Sequence, residues 1–137
     1  MKNLGLALLL FSALAFSACQ KHQTRLELIS AHPWKITGQL YNSTNTWPTV
    51  PSYIQDNIWT FNANTAYTID EGATRANATD PTLISQGVWN FDATLRIIIF
   101  DNNPNNTQTI LDLTEDILRV SALDSLGATV VTTFSKS

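Results

Sequence analysis

Cysteine is nearly absent from this chain of 137 residues, which contains a single one, Cys19. One cysteine excludes an internal disulfide, so a domain of this length has to be held together by its apolar core. Basic residues are also few, with 8 Lys and Arg against 11 Asp and Glu. This balance excludes the basic surface that nucleic-acid binding needs, and we expect no nucleic-acid partner.

Residues of the catalytic types are equally scarce. The histidines are His22, in a polar segment near the N-terminus, and His32, beside Pro33. The sequence contains neither a Gly-x-Ser-x-Gly nucleophile motif nor a glycine-rich phosphate loop. Most carboxylates fall at predicted turns, where an aspartate side chain bonds to local backbone amides. The sequence therefore predicts neither an enzyme nor a cofactor.

A metal site is indicated at one place only, and weakly. Asp101-x-Asn103-x-Asn105 puts oxygen ligands on alternate residues, as a calcium loop does, and Asp112 sits at the twelfth place. However, Asn106 stands where the calcium loop requires a turn glycine, and the residues that follow have the pattern of a strand. We therefore expect a hairpin turn at this place and no metal.

Long apolar runs are limited to residues 4–16, and this run is shorter than the roughly 20 residues of a membrane-spanning helix. It follows Lys2 and precedes the small residues Ser17-Ala18. A positive start, an apolar stretch and small residues at the cut are the layout of an export signal. We expect residues 1–18 to be a signal peptide and residues 19–25 to be a polar tether.

The segment Phe16-Ser17-Ala18-Cys19 resembles the lipobox of bacterial lipoproteins, in which an apolar residue and two small residues precede the cysteine. The resemblance implies cleavage before Cys19 and acyl chains on its sulfur and its amine. Several chains anchor a protein stably, because each buried CH₂ contributes about 0.8 kcal/mol. We expect a membrane anchor through Cys19 in the cell envelope, at the outer membrane, with its periplasmic face and the cell surface both open as locations.

Beyond the tether the sequence turns to short, alternating segments. A helical turn over residues 26–30 ends before Pro33, because the residue before a proline avoids the helical region. From Trp34 onward apolar and polar residues alternate, which is typical of half-buried strands. The predicted strands are 34–40, 57–62, 66–70, 84–91, 95–100, 107–113, 117–123 and 128–134. Evenly spaced short strands favour an all-β domain over residues 26–137, an eight-stranded antiparallel up-and-down barrel.

Several motifs in this domain, in this order, resemble the lipocalin-like lipoproteins of Bacteroidetes. They are a tryptophan on the first strand, an aromatic hairpin, a Gly-x-Trp strand and an apolar segment near the C-terminus. In this chain these are Trp34-Lys35-Ile36-Thr37, residues 56–67, Gly87-Val88-Trp89 and residues 110–118. The family usually has glycine in the hairpin turn, where this chain has Asn64-Thr65. The resemblance implies a lipocalin-like barrel and names no ligand.

Aromatic residues at alternating positions are the strongest candidates for a binding site. By alternation many of them point the same way, so they either pack as core or line an apolar pocket at the mouth of the barrel. The pocket candidates are Trp34, Trp59, Phe61, Tyr67, Trp89 and Phe91. Trp47 and Tyr53 lie in a predicted loop beside prolines, and we expect them to form a lid or a contact surface.

Two functions are therefore open from the sequence. The first is a carrier that binds a small hydrophobic or amphipathic ligand in the cell envelope. The second is a structural or assembly subunit of an envelope complex, which acts through contacts with a partner protein. In addition, Asp124-Ser125-Leu126 resembles the short O-glycosylation motif of Bacteroidetes and makes Ser125 a candidate for modification.

Overall fold

The computed structural model describes residues 23–137, which fold into a closed antiparallel β-barrel. The strands are β1 (Trp34–Tyr41), β2 (Thr44–Asn45), β3 (Ile58–Phe61), β4 (Ala66–Asp70), β5 (Leu83–Phe91), β6 (Ile97–Phe100), β7 (Thr107–Leu113), β8 (Ile117–Leu123) and β9 (Thr129–Lys136). All except β2 form the barrel wall, and the chain runs up and down from each wall strand to the next. β9 pairs with β1 and closes the wall. The predicted eight-stranded up-and-down barrel is confirmed.

Tight turns end the strands, and many of these turns need left-handed backbone. Among the described residues the non-glycine positions with positive φ all lie in turns, and they are Asn42, Ser43, Thr65, Leu95, Asp101 and Asn102. In the β3–β4 hairpin the left-handed residue is Thr65, with φ of 69°. Its neighbour Asn64 supports the turn with its side chain, which accepts a hydrogen bond from Ala66 N at 3.2 Å.

A short helix, α1 (Arg25–Ser30), precedes the barrel and starts one residue earlier than predicted. Thr24 and Glu27 form a reciprocal capping box, in which each side chain accepts a hydrogen bond from the other's backbone N–H. Ile29 is fully buried, and the indole N–H of Trp34 donates to its carbonyl oxygen at 2.8 Å. The helix therefore packs against one end of the barrel, which we call the helix end.

The opposite end of the barrel carries the longer connections. Because successive strands are antiparallel, loops 42–57, 71–82, 101–106 and 124–128 all meet there, and we call it the loop end. Loop 42–57 is more ordered than the predicted loop around Trp47 and Tyr53, because it contains β2, a 3₁₀ turn (Trp47–Thr49) and a second helix, α2 (Ser52–Gln55). The Gln55 side chain donates to the carbonyl oxygens of Trp47 and Val50, which ties α2 to the 3₁₀ turn.

The interior is filled mainly by apolar side chains. The buried cluster contains Ile29, Trp34, Ile36, Phe61, Tyr67, Trp89, Ile98, Phe100, Ile110, Leu118, Val120 and Phe134. Its rings meet edge to face, as in Phe61 on Trp89, where the centroids are 5.3 Å apart at 80°. Such pairs stabilise a core by about 0.5–1.5 kcal/mol beyond the area they bury. Within residues 23–137 no helix has the length and apolar character to cross a membrane.

Candidate ligand-binding cavity

The inward faces of β3, β4, β6 and β7 leave a cavity of about 160 Å³ towards the loop end. Each of these strands contributes alternate residues to the interior, and at this level the opposing side chains do not fill the space between them. The lining residues are Trp59, Tyr67, Ile69, Phe100, Asn106 and Gln108. The cavity therefore has a wall of apolar and aromatic groups and a carboxamide wall. The carboxamides belong to the half-buried Gln108 of β7 and to Asn106, an exposed residue of loop 101–106.

Three rings and their neighbours hold the aromatic wall in place. Tyr67 meets Phe100 edge to face, with centroids 5.1 Å apart at 82°, and Trp59 meets Phe100 at 6.3 Å and 73°. Trp59 also meets Phe134 of the buried core at 5.5 Å and 70°. These contacts fix the ring orientations in advance, so a ligand would meet a preformed surface.

The Tyr67 ring is positioned from behind by Asp101 and Gly87. The Tyr67 hydroxyl donates to Asp101 Oδ2 at 3.2 Å, and Val88 N donates to Asp101 Oδ1 at 3.1 Å. A Cβ added at Gly87 would overlap Asp101 Oδ1 and come within 2.9 Å of the Tyr67 ring. Only glycine at this place lets the carboxylate and the ring sit together, and this is the physical reason for the glycine in the Gly87-Val88-Trp89 motif.

The side-chain amides of the carboxamide wall are not used in hydrogen bonds within the described residues. Within the described part of the chain, neither the Asn106 nor the Gln108 side chain makes a hydrogen bond, whereas the Asn103 side chain of the same loop accepts one from Asn105 N at 3.0 Å. No charged side chain lines the cavity, since Asp101 reaches it only through the Tyr67 hydroxyl. The site therefore offers neutral hydrogen-bond donors and acceptors beside aromatic rings.

The predicted aromatic set is divided by the structure. Trp59 and Tyr67 line the cavity. Trp34, Phe61 and Trp89 are buried in the core with at most 2% of their surface exposed and are not among the residues that line this cavity. Phe91 is half-buried and packs edge to face on Trp89, with centroids 5.2 Å apart. These four residues contribute to the packing of the core.

Trp47 and Tyr53 do lie at the loop end, as expected of lid candidates, but they are half-buried. Trp47 packs against the buried cluster, because the 3₁₀ turn folds back on β1. The loop is also joined to loop 71–82 through Asp56, whose Oδ2 accepts from the backbone N and the hydroxyl of Thr74, at 2.7 and 2.9 Å. Desolvation opposes ionisation of Asp56, but these bonds outweigh it and lower the pKa of the carboxyl group.

The remaining candidates have local partners. Both ring nitrogens of His32 face backbone carbonyls, those of Pro33 at 2.9 Å and Glu115 at 2.7 Å, and its ring lies 4.3 Å from that of Trp34. The Asp101 carboxylate is engaged by Tyr67 and Val88, as described above. Among residues 23–137 no group of three or more His, Cys, Asp or Glu side chains is arranged to hold a metal ion. Cys19, His22 and residues 1–18, the predicted signal peptide, lie outside the described residues.

The outer surface at the loop end has features of its own. A groove of about 360 Å³ crosses the outside of β7, β8 and β9 and contains no aromatic ring. Its lining combines four hydroxyl-bearing residues with Ala122, Leu123 and Asn105; the four are Thr107, Thr109, Ser121 and Thr129. Ser125 is exposed in the β8–β9 turn, between Leu123 and Leu126, which are 72% and 86% exposed. The Asp124 carboxylate shapes this turn by accepting from Leu126 N and Ala128 N.

Sequence reasoning missed four residues of the cavity: Ile69, Phe100, Asn106 and Gln108. The sequence does contain one signal. Gln108 lies two residues before the buried Ile110 on β7, and it is therefore a polar residue on the inward face. A polar side chain at such a position, without an obvious partner, indicates either a ligand or bound water. The depth at which the cavity lies depends on the stagger of the strands, which alternation does not reveal.

In the comparison with known proteins, no family model matches the chain, and no curated protein matches it at a significant level.

Proposed function

We propose that this protein is a lipid-anchored carrier that binds a small hydrophobic or amphipathic molecule inside its barrel, in the cell envelope. The observation that carries the proposal is the cavity between the Trp59, Tyr67 and Phe100 rings and the unbonded amides of Asn106 and Gln108. Ligand sites are typically apolar concavities with a few convergent polar groups.

The size of the cavity limits the ligand. A volume of about 160 Å³ is near that of an engineered protein cavity of about 150 Å³ that binds benzene, and about half the lower bound for drug-sized ligands. A single ring or a short branched chain fits, and an entire long acyl chain does not. The proposed ligand is therefore ring-sized.

The proposed anchor would orient the barrel, and with it the cavity, relative to the membrane. The described chain enters the fold at Thr24, at the helix end. Thr24 is five residue steps from Cys19, a distance of at most about 18 Å when the chain is fully extended. If Cys19 carries the acyl chains, the helix end faces the bilayer and the loop end, with its cavity, faces away. The ligand would then arrive from the aqueous side.

The test is calorimetric titration of the purified full chain with toluene, a ring-sized apolar probe. We expect saturable binding, its loss in Ile69→Trp, which fills the cavity, and its retention in Ile84→Trp. Ile84 is 46% exposed on neighbouring β5 and is the matched control. Binding that survives Ile69→Trp, or no saturable binding of ring-sized probes, would contradict the proposal.

A protein partner remains the second candidate because of one observation. Leu123 and Leu126 protrude from the β8–β9 turn with most of their surface exposed. A pair of exposed leucines on a turn is a feature of contact surfaces. In-cell cross-linking through a photoreactive residue at position 126 should then give a specific adduct, and the absence of any adduct would count against this role.

A further inference from the structure

We infer that the cavity selects neutral, planar one-ring molecules that carry an amide edge, that is, lactams of the pyridone or pyrimidinone class. This inference rests on the proposed carrier function and goes further by naming the chemistry of the ligand. It is based on the composition of the two walls and on the lack of charge between them.

The planar ring follows from the aromatic wall. Trp59, Tyr67 and Phe100 hold fixed relative orientations through their edge-to-face contacts. A flat ring offers such a wall the largest contact area for its volume, and offset or edge contacts between aromatic rings are favourable beyond simple burial. The cavity of about 160 Å³ admits one such ring.

The amide edge follows from Asn106 and Gln108. A primary carboxamide presents a carbonyl acceptor and an N–H donor side by side, and a lactam presents the complementary donor and acceptor at the same spacing. Proteins use this two-bond pairing when Asn or Gln reads the edge of an adenine base. Neither side chain has a hydrogen-bond partner within residues 23–137, and both are accessible, since Gln108 is half-buried and Asn106 is exposed. Either amide can therefore turn to a ligand.

The neutral charge follows from the absence of ionisable groups in the lining. A carboxylate or ammonium ligand would lose its hydration and meet no counter-charge there, which is strongly unfavourable. The nearest carboxylate, Asp101, is already engaged by Tyr67 and Val88. An anionic or cationic ring of equal size should therefore bind more weakly than the neutral lactam.

Calorimetry with three probes of similar size tests this: 2-pyridone, its N-methyl derivative, which keeps only the acceptor, and toluene. We expect 2-pyridone to bind about tenfold tighter than toluene, as two neutral hydrogen bonds predict, with the N-methyl compound between them. Gln108→Leu should make the affinities for 2-pyridone and toluene nearly equal, with toluene still bound. Gln86→Leu, the same change at an exposed position of β5, should keep the ratio of the two affinities.

Asn106→Ala, in the loop before β7, is the second variant should Gln108→Leu fail to fold, and it should also reduce the ratio. Equal affinities for 2-pyridone and toluene in the unmodified chain would overturn the lactam inference and leave the carrier function standing. A preference that neither variant changes would also overturn it. If no probe binds, both the inference and the carrier function fail.

Discussion

Replacing Gly87 with alanine adds one methyl group at the point where three groups behind the cavity meet. The methyl would overlap Asp101 Oδ1 and lie 2.9 Å from the Tyr67 ring. The carboxylate would have to move, and its bonds from Val88 N (3.1 Å) and the Tyr67 hydroxyl (3.2 Å) would be lost or weakened. Asp101 itself has a left-handed backbone, with φ of 54°. The substitution would therefore remove two of the bonds that hold its turn in this conformation.

The size of the effect can be worked from these contacts. Hydrogen bonds to a charged group contribute about 1.5–3 kcal/mol each, and the exposure of Asp101 favours the low end, so two bonds amount to about 3 kcal/mol. Alanine in a strand regains about 0.5–1 kcal/mol relative to glycine. We therefore expect Gly87→Ala to lower the free energy of unfolding by about 2 kcal/mol.

Urea denaturation of the variant measures this loss, and Gly38→Ala is the matched control. Gly38 is also in a strand, but its added Cβ would lie 3.5 Å from Thr133 Cβ, an ordinary contact, so the change should be neutral or slightly stabilising. In an Asp101→Gly background, Gly87→Ala should cost much less, because the carboxylate that it displaces is gone. Equal effects of Gly87→Ala and Gly38→Ala, or an undiminished cost in the Asp101→Gly background, would refute the reasoning.

Three further predictions concern the turns and the anchor. Thr65→Gly should stabilise the chain by about 0.5–1 kcal/mol, because glycine relieves a left-handed β-branched residue; Asn64→Gly should not, and a stabilised Asn64→Gly would show that the turn has been misassigned. The Asp92 carboxyl should titrate near its pKa of about 2, below the ordinary 3.8, because its oxygens accept from the Thr94 hydroxyl and from Ile97 N and Arg96 N. A lowered pKa in the folded state means that the stability the ionised group contributes is complete above about pH 4 and is lost as the pH falls towards 2. Carbon-detected NMR titration measures the value, and a midpoint near 3.8 would exclude those bonds in solution. Cys19→Ala should leave the barrel folded and move the protein from the membrane to the supernatant on fractionation, whereas an unchanged membrane pool would contradict the proposed anchor.

The barrel itself could be predicted because alternation and turn residues determine it locally. The predicted wall strands agree with the structure within two residues, and the largest shifts are at β9, which ends at Lys136 instead of residue 134, and at β6, which starts at Ile97 instead of residue 95. Leu95 carries φ of 58° and belongs to the turn that Asp92 organises by accepting from the backbone N–H groups of Arg96 and Ile97. An exposed leucine in a left-handed turn gives no apolar-pattern signal that separates it from a strand.

The cavity could be predicted only in part. Alternation correctly placed Trp59 and Tyr67 on the interior face, but it placed Trp34 and Trp89 there equally. Trp34 pairs directly with Trp59 across β1 and β3, so alternation cannot separate these two residues. Trp34 is covered by α1, because its indole donates to the Ile29 carbonyl oxygen, whereas Trp59 borders the cavity. The order in loop 42–57 was missed for a related reason, since Gln55 and the packing of Trp47 stabilise it through contacts distant in sequence.

The most direct test of the account is a crystal structure of the chain grown with 2-pyridone. We predict density for one ring between Trp59, Tyr67 and Phe100, with its amide edge within hydrogen-bond distance of Gln108 or Asn106. A ring bound only in the outer groove of β7–β9, or an interior without ligand density at saturating concentration, would contradict it.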